Sequence, residues 1–218
     1  MQETKGSTGS TAPDRLSGRL LEELAQHGNT RPFRTQAILI NEGDVGDSIY
    51  IVVSGRLRTY ASSEDGRDVV LAEHGPGEYV GELALDGAER SASVKTVEPT
   101  TCCVVPAVEM RSFMADHPEF AEHLSRKLSR MVRRLTEQVK DLALKDVYGR
   151  MVRVLTELSD PVGAERVVRE KLTQQDIADR VGSSREMVNR VMKDLTAGGY
   201  VSVRDGRYVI HRKLPAAR

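Results

Sequence analysis

Apolar and polar positions change period twice along the 218 residues. Leu16, Leu20 and Leu24 recur at intervals of four and predict a short helix over 16–27, ended by Gly28. From 31 to 105 the pattern shortens to β-prone runs, "TQAILI", "SIYIVVSG", "RLRTYASS" and "DVVLAEHGPGEY", separated by turn residues. Asp65-Gly66 between two of these runs is a hairpin signal. With "SASVKTV" and "TTCCVVP" as closing strands, the segment predicts a compact antiparallel sandwich or barrel.

After Pro106 the period becomes helical. Phe120, Leu124, Leu128, Met131, Leu135, Val139 and Leu142 follow by steps of 4, 4, 3, 4, 4 and 3, close to a coiled-coil seam. Arg126, Arg130, Arg133 and Lys140 lie opposite. Such a stripe either covers its own domain or pairs with a second copy. Its length favours a two-fold helix pair over 118–145, hence a homodimer. "DVYGRMVRVLTELS", from Asp146 to Ser159, predicts a further helix ended by Pro161-Val162-Gly163. Residues 1–13 are small, polar and aperiodic and predict a disordered arm. The expected organisation is that arm, a β-domain over 14–117, the helix over 118–145 and a small α/β domain over 146–218.

Within the last domain, Thr173 with Asp176 three residues on is a helix start, and Ile177, Ala178 and Val181 face inward. Gly182 supplies a turn. Ser183 with Glu186 predicts a second capping box, and Met187, Val188, Val191, Met192 and Leu195 form the next buried face, ended by Gly198-Gly199. This is a helix-turn-helix. "YVSVRDGRYVI" adds two strands around Asp205-Gly206, a wing.

Charge sharpens this reading. The chain is neutral overall, but 146–218 carries 14 Lys and Arg against 10 Asp and Glu, and from Arg180 onward the count is nine against three. Positive charge therefore sits where phosphates would be met. Arg185, Glu186, Asn189 and Arg190 lie on the polar face near the second helix's start, and Arg and Glu suit guanine and cytosine edges in a major groove. At 39% hydrophobic and 29% charged residues, the composition is that of a globular protein. No run approaches the roughly 18 apolar residues of a membrane span and no leader pattern is present, so a cytoplasmic protein without membrane contact is expected. Cys102 and Cys103 read as buried thiols on opposite strand faces. No metal is expected, because histidines 27, 74, 117, 123 and 211 lack ligand spacing. That absence also argues against a cyclic-nucleotide-processing enzyme. His74, alone near the site considered next, reads as a polar turn residue.

"GELALDGAERSAS", Gly81 to Ser93, brings a carboxylate, a guanidinium and a hydroxyl together. Gly81 permits close backbone approach, and "ELAL" makes one helical turn whose start presents N–H groups to an anion. Arg90 neutralises a phosphate, Ser91 donates to it, and Glu82 accepts from a ribose hydroxyl. One phosphate, one ribose and little room describe a cyclic nucleotide. The alternative is a capped turn in which Glu82 pairs with Arg90.

With "GELALDGAERSAS", "KDVYGR" and "SSREMVNR" in this order, the chain over roughly 16–212 resembles the CRP/FNR superfamily of bacterial transcription regulators. The resemblance implies an α+β fold: an N-terminal antiparallel β-roll of double-stranded β-helix, jelly-roll-like form, a long dimerisation helix and a C-terminal winged helix-turn-helix. It implies no enzyme but a homodimer controlled by cyclic AMP, with cyclic di-GMP or no ligand as alternatives. Double-stranded DNA with TGTGA-like half-sites and RNA polymerase are the implied partners. The implied ligand contacts are Gly81, Glu82, Leu83, Ala84, Arg90, Ser91 and Ala92, with Leu135 and Thr136 where members of the family that bind cyclic AMP have a Thr-Ser pair on adenine. The implied DNA contacts are Thr173, Gln174, Ser183, Ser184, Arg185, Glu186, Asn189, Arg190 and Lys193. Leu135 departs from the family pattern, since it cannot hydrogen-bond a base, and Asn189 stands where the FNR branch has serine. The cysteines of iron–sulfur sensing are missing.

Overall fold

The structure, a computed structural model, describes residues 14–64 and 66–215. The arm over 1–13 and Asp65 of the hairpin turn lie outside the described residues. Two compact units form: one from the chain up to Thr59 with Ala72–Met131, the other from Tyr60–Leu71 with the chain from Val132 onward.

The first helix, α1 (Gly18–Ala25), starts two residues later than its apolar repeat suggests, because the Ser17 hydroxyl accepts from the Leu20 N–H. Leu16 precedes the helix and is still buried. The strands that follow are β1 (Asn29–Phe33), β2 (Ile38–Ile40), β3 (Ser48–Ser54), β4 (Leu57–Ser62), β5 (Asp68–His74) and β6 (Tyr79–Val80). After a 3₁₀ turn over Glu82–Asp86 come β7 (Ser93–Thr96) and β8 (Thr100–Pro106). They make two four-stranded sheets, ordered β1-β8-β3-β6 and β2-β7-β4-β5, with antiparallel pairing throughout β1, β8, β3 and β6. This is the expected β-roll.

Strand β1 begins ahead of the predicted β region because β8 pairs with it from Asn29↔Val104 to Phe33↔Thr100. Pro32 is tolerated there, since β1 lies at a sheet edge. Strand alternation sends Cys102 into the cluster of Ile40, Val52, Leu57, Val80 and Val94. Cys103 enters the other cluster, with Leu20, Leu24, Ile49, Ile51 and Tyr79. Burial pushes the Cys102 thiol up to about 12, so it stays a protonated packing group. His74 ends β5 rather than sitting in a polar turn; it is buried, with Nε2 3.0 Å from the Thr59 hydroxyl.

Helices α2 (Ala107–Asp116) and α3 (Pro118–Leu144) follow. Met110, Phe113, Phe120 and Leu124 close the cluster around Ile49, Ile51 and Tyr79. The apolar seam therefore has two fates. Its first residues are core of the β-roll, whereas Leu135, Val139 and Leu142 in the second unit are 39%, 65% and 53% exposed, with Val132 beside them at 63%.

The second unit continues with α4 (Val147–Glu157), capped by Asp146, whose carboxylate accepts from the Gly149 N–H at 2.7 Å. Then come β9 (Ser159–Val162), β10 (Glu165–Val168), α5 (Gln174–Val181), α6 (Arg185–Ala197), β11 (Val201–Arg204) and β12 (Arg207–Ile210). Pro161-Val162-Gly163 is not a mere helix stop: α4 has already ended, Pro161 lies in edge strand β9, and Gly163, with φ 63°, turns the chain into β10. The sheet order is β11-β12-β10-β9. Asp205 and Gly206 both take positive φ, the left-handed pair that a two-residue hairpin between Arg204 and Arg207 requires. Met151, Leu155, Ile177, Val188, Met192, Leu195 and Tyr208 form the core.

Candidate functional site

The segment after β6 brings Gly81 and Arg90 of the sequence motif together. Gly81 adopts φ 91°, a left-handed conformation costly for a side chain, and directs Glu82–Asp86 into the 3₁₀ turn. Arg90 is buried and its guanidinium is cradled: Nη1 donates to the Gly81 carbonyl at 2.9 Å and Nη2 to the Ser48 carbonyl at 2.7 Å. A Cβ at Gly46 or Gly81 would collide with that guanidinium, so both glycines are needed for its seat. Gly46 has no sequence signal, because it approaches Arg90 only through the fold. Ser91 is exposed beside Arg90, Ala92 is half-buried, Leu83 is exposed and Ala84 is buried under the turn.

Glu82 does not pair with Arg90. Its Oε1 lies 2.7 Å from Nζ of Lys127 on α3, and the two side chains are only 5% and 2% exposed. The same ammonium donates to the Tyr79 carbonyl and stands 3.8 Å from the centroid of the Tyr79 ring. Burial pushes the Lys127 pKa down, and Glu82 pulls it back up. Tyr79 in turn meets Nδ1 of His123 through its hydroxyl at 3.2 Å. Lys127 is the residue that sequence reasoning missed: it sits one position before Leu128, on what the seam pattern marks as a polar flank. Leu135 and Thr136 belong to the second unit; both are exposed, and the Thr136 hydroxyl donates to the Val132 carbonyl at 2.9 Å.

The helix-turn-helix forms from α5 and α6. Thr173 makes the full capping box: its hydroxyl accepts from the Asp176 N–H and its N–H donates to the Asp176 carboxylate, both at 3.0 Å. Gly182, with φ 60°, ends α5. The cap of α6 is Ser184 rather than Ser183, its hydroxyl accepting from the Met187 N–H at 3.3 Å, and no reciprocal box forms with Glu186. Met187 is 37% exposed and leaves the buried face to Val188, Met192 and Leu195. Arg185, Glu186, Arg190 and Lys193 are exposed. Asn189 is half-buried and accepts from Gln174 Nε2 at 3.3 Å, which ties α5 to α6. The exposed Glu186 carboxyl is held below its usual range by hydrogen bonds from its own N–H and from Ser184.

Arg150 also escaped the sequence reading. Its Nε donates to the Val181 carbonyl at 2.7 Å and its Nη1 to the Lys145 carbonyl at 2.8 Å, so one side chain joins the start of α4 to the turn between α5 and α6.

Two family models match the chain: a cyclic nucleotide-binding domain over residues 30–117 and a Crp-like helix-turn-helix domain over residues 149–215. A CRP-like cAMP-activated global transcriptional regulator of Mycobacterium tuberculosis is 34% identical over 174 residues, 78% of this chain and 77% of the relative. The cAMP-activated global transcriptional regulator CRP of Pasteurella multocida is 28% identical over 88% of this chain and 94% of its own. Among solved structures, the c-di-GMP responsive global regulator CLP of Xanthomonas campestris superposes with a TM-score of 0.81 at 26% identity, covering 90% of this chain and all of that one.

Proposed function

Because the chain belongs to the CRP/FNR superfamily of transcription regulators, we propose that it is a bacterial homodimer controlled by cyclic AMP that binds a palindromic operator with TGTGA-like half-sites. In this reading residues 14–117 are the ligand-binding β-roll, 118–145 the dimerisation helix and 146–218 the DNA-binding domain. The observation that carries it is the seat of Arg90: a buried guanidinium fixed beside the left-handed Gly81 and the start of a 3₁₀ turn. Such a charge, aimed by backbone carbonyls, suits one phosphate. Ser91 beside it supplies a hydroxyl, and Glu82 the acceptor for ribose.

Arg185, Glu186 and Arg190 project from the start of α6 as base-reading groups, with Thr173, Gln174, Ser183, Ser184, Asn189 and Lys193 at phosphates or supporting them. Ligand occupancy shifts the population toward one orientation of the DNA-binding domains about the hinge at 144–146. Two recognition helices then meet successive major grooves about 34 Å apart, and RNA polymerase is the downstream partner.

Calorimetry of the full chain with cyclic AMP, cyclic GMP and cyclic di-GMP tests the effector. Arg90→Leu abolishes cyclic AMP binding and leaves the dimer intact; because two carbonyls lose their donor, stability falls by roughly 1–3 kcal/mol. Unchanged affinity in the folded variant overturns the assignment. Cyclic di-GMP is the second reading, favoured by Leu135 in place of a base-contacting hydroxyl and by the likeness to the Xanthomonas campestris regulator.

A further inference from the structure

Within the β-roll unit the ribose acceptor of the proposed site is already engaged. Glu82 and Lys127 face each other with almost no solvent exposure, so Oε1 already has the ammonium beside it before any ligand hydroxyl arrives. The contact is electrostatic and poorly directed. Oε1 lies 2.7 Å from Nζ, yet it receives no hydrogen bond of good geometry and its acceptor capacity is unspent. A well-directed hydroxyl donor would use that capacity better. Lys127 also has somewhere to go, because the Tyr79 carbonyl and the Tyr79 ring already receive its ammonium. Displacement therefore leaves neither charge stranded, the circumstance that otherwise makes breaking a buried pair costly.

We infer that Lys127 is a specificity-determining residue of this site: its ammonium competes with the ribose 2′-hydroxyl for Glu82 and so weakens the pocket's reading of that hydroxyl. The inference rests on a cyclic nucleotide occupying the cassette, as proposed above. It has a second consequence, since Lys127 belongs to α3. A ligand hydroxyl that takes Glu82 also releases the one ion pair seen between the 3₁₀ turn and that helix among the described residues, which links occupancy to the helix.

The test is a calorimetric cycle of the full chain with cyclic AMP and 2′-deoxy cyclic AMP, on the unaltered protein, Lys127→Met and Lys127→Leu. The leucine variant likewise has no donor for Glu82 and serves should the methionine variant fold poorly, and circular dichroism melts report folding. The expected result is a gain of about tenfold in cyclic AMP affinity, the worth of one hydrogen bond to a charged group, with the deoxy ligand unmoved. A structural role alone would weaken both ligands together. If the unaltered protein binds cyclic AMP and a folded variant gains nothing, or gains equally for both ligands, the competition is refuted while the cyclic AMP reading stands. If no protein binds cyclic AMP, both fall; if only the variants bind it, Lys127 is confirmed as the competitor.

Discussion

At the scale of single residues, Arg185 is the most informative position outside the ligand cassette. It is the first residue of α6, exposed, and free of any need to fill the core. A guanidinium there reaches a guanine edge bidentately, whereas a phosphate contact would be indifferent to sequence. Arg185→Ala is expected to weaken a TGTGA palindrome by about 1–3 kcal/mol per half-site and a random duplex far less. Fluorescence anisotropy on both duplexes at one salt concentration decides between base reading and phosphate gripping. Equal losses would assign Arg185 to the backbone.

At the scale of elements, the recognition helix shows how one hydrogen bond sets a register. Both Ser183 and Ser184 are good caps by type, and the capping-box spacing points to Ser183. Gly182 in the left-handed conformation, with the Ser183 N–H bonded to the Ala178 carbonyl, carries the chain past Ser183 and leaves Ser184 extended at φ −80° and ψ 152° to take the cap. Ser184→Ala is therefore expected to cost about 1 kcal/mol in urea unfolding and Ser183→Ala much less. The reverse ranking would restore the box. The same local logic explains β9, where Pro161 survives only because the strand is at the sheet edge.

At the scale of the molecule, the exposed part of the α3 seam calls for a partner. Val132, Leu135, Val139 and Leu142 present branched apolar side chains to solvent in one chain. At seam spacing, a second copy of the same helix, as in the proposed homodimer, would bury them. Val139→Asp places a charge in that stripe and leaves the β-roll core untouched, so sedimentation should give a monomer of native secondary structure that no longer binds the palindrome tightly. A dimer that persists would place self-association elsewhere.

Sequence alone determined the features that depend on near neighbours: the change from strand to helix period, the Thr173 capping box, the Asp205-Gly206 turn, the opposite faces of Cys102 and Cys103, and the Gly81, Glu82 and Arg90 motif. Each is written in residues a few positions apart, within reach of local hydrogen bonds and backbone sterics. Only the tertiary structure decided that Glu82 meets Lys127 rather than Arg90, that Gly46 makes room for the guanidinium, that Arg150 joins α4 to the helix-turn-helix, and that the seam is core at one end and bare at the other. Those outcomes depend on which distant segments share a volume. Periodicity tells which face of a helix is apolar, while what covers that face is settled by packing.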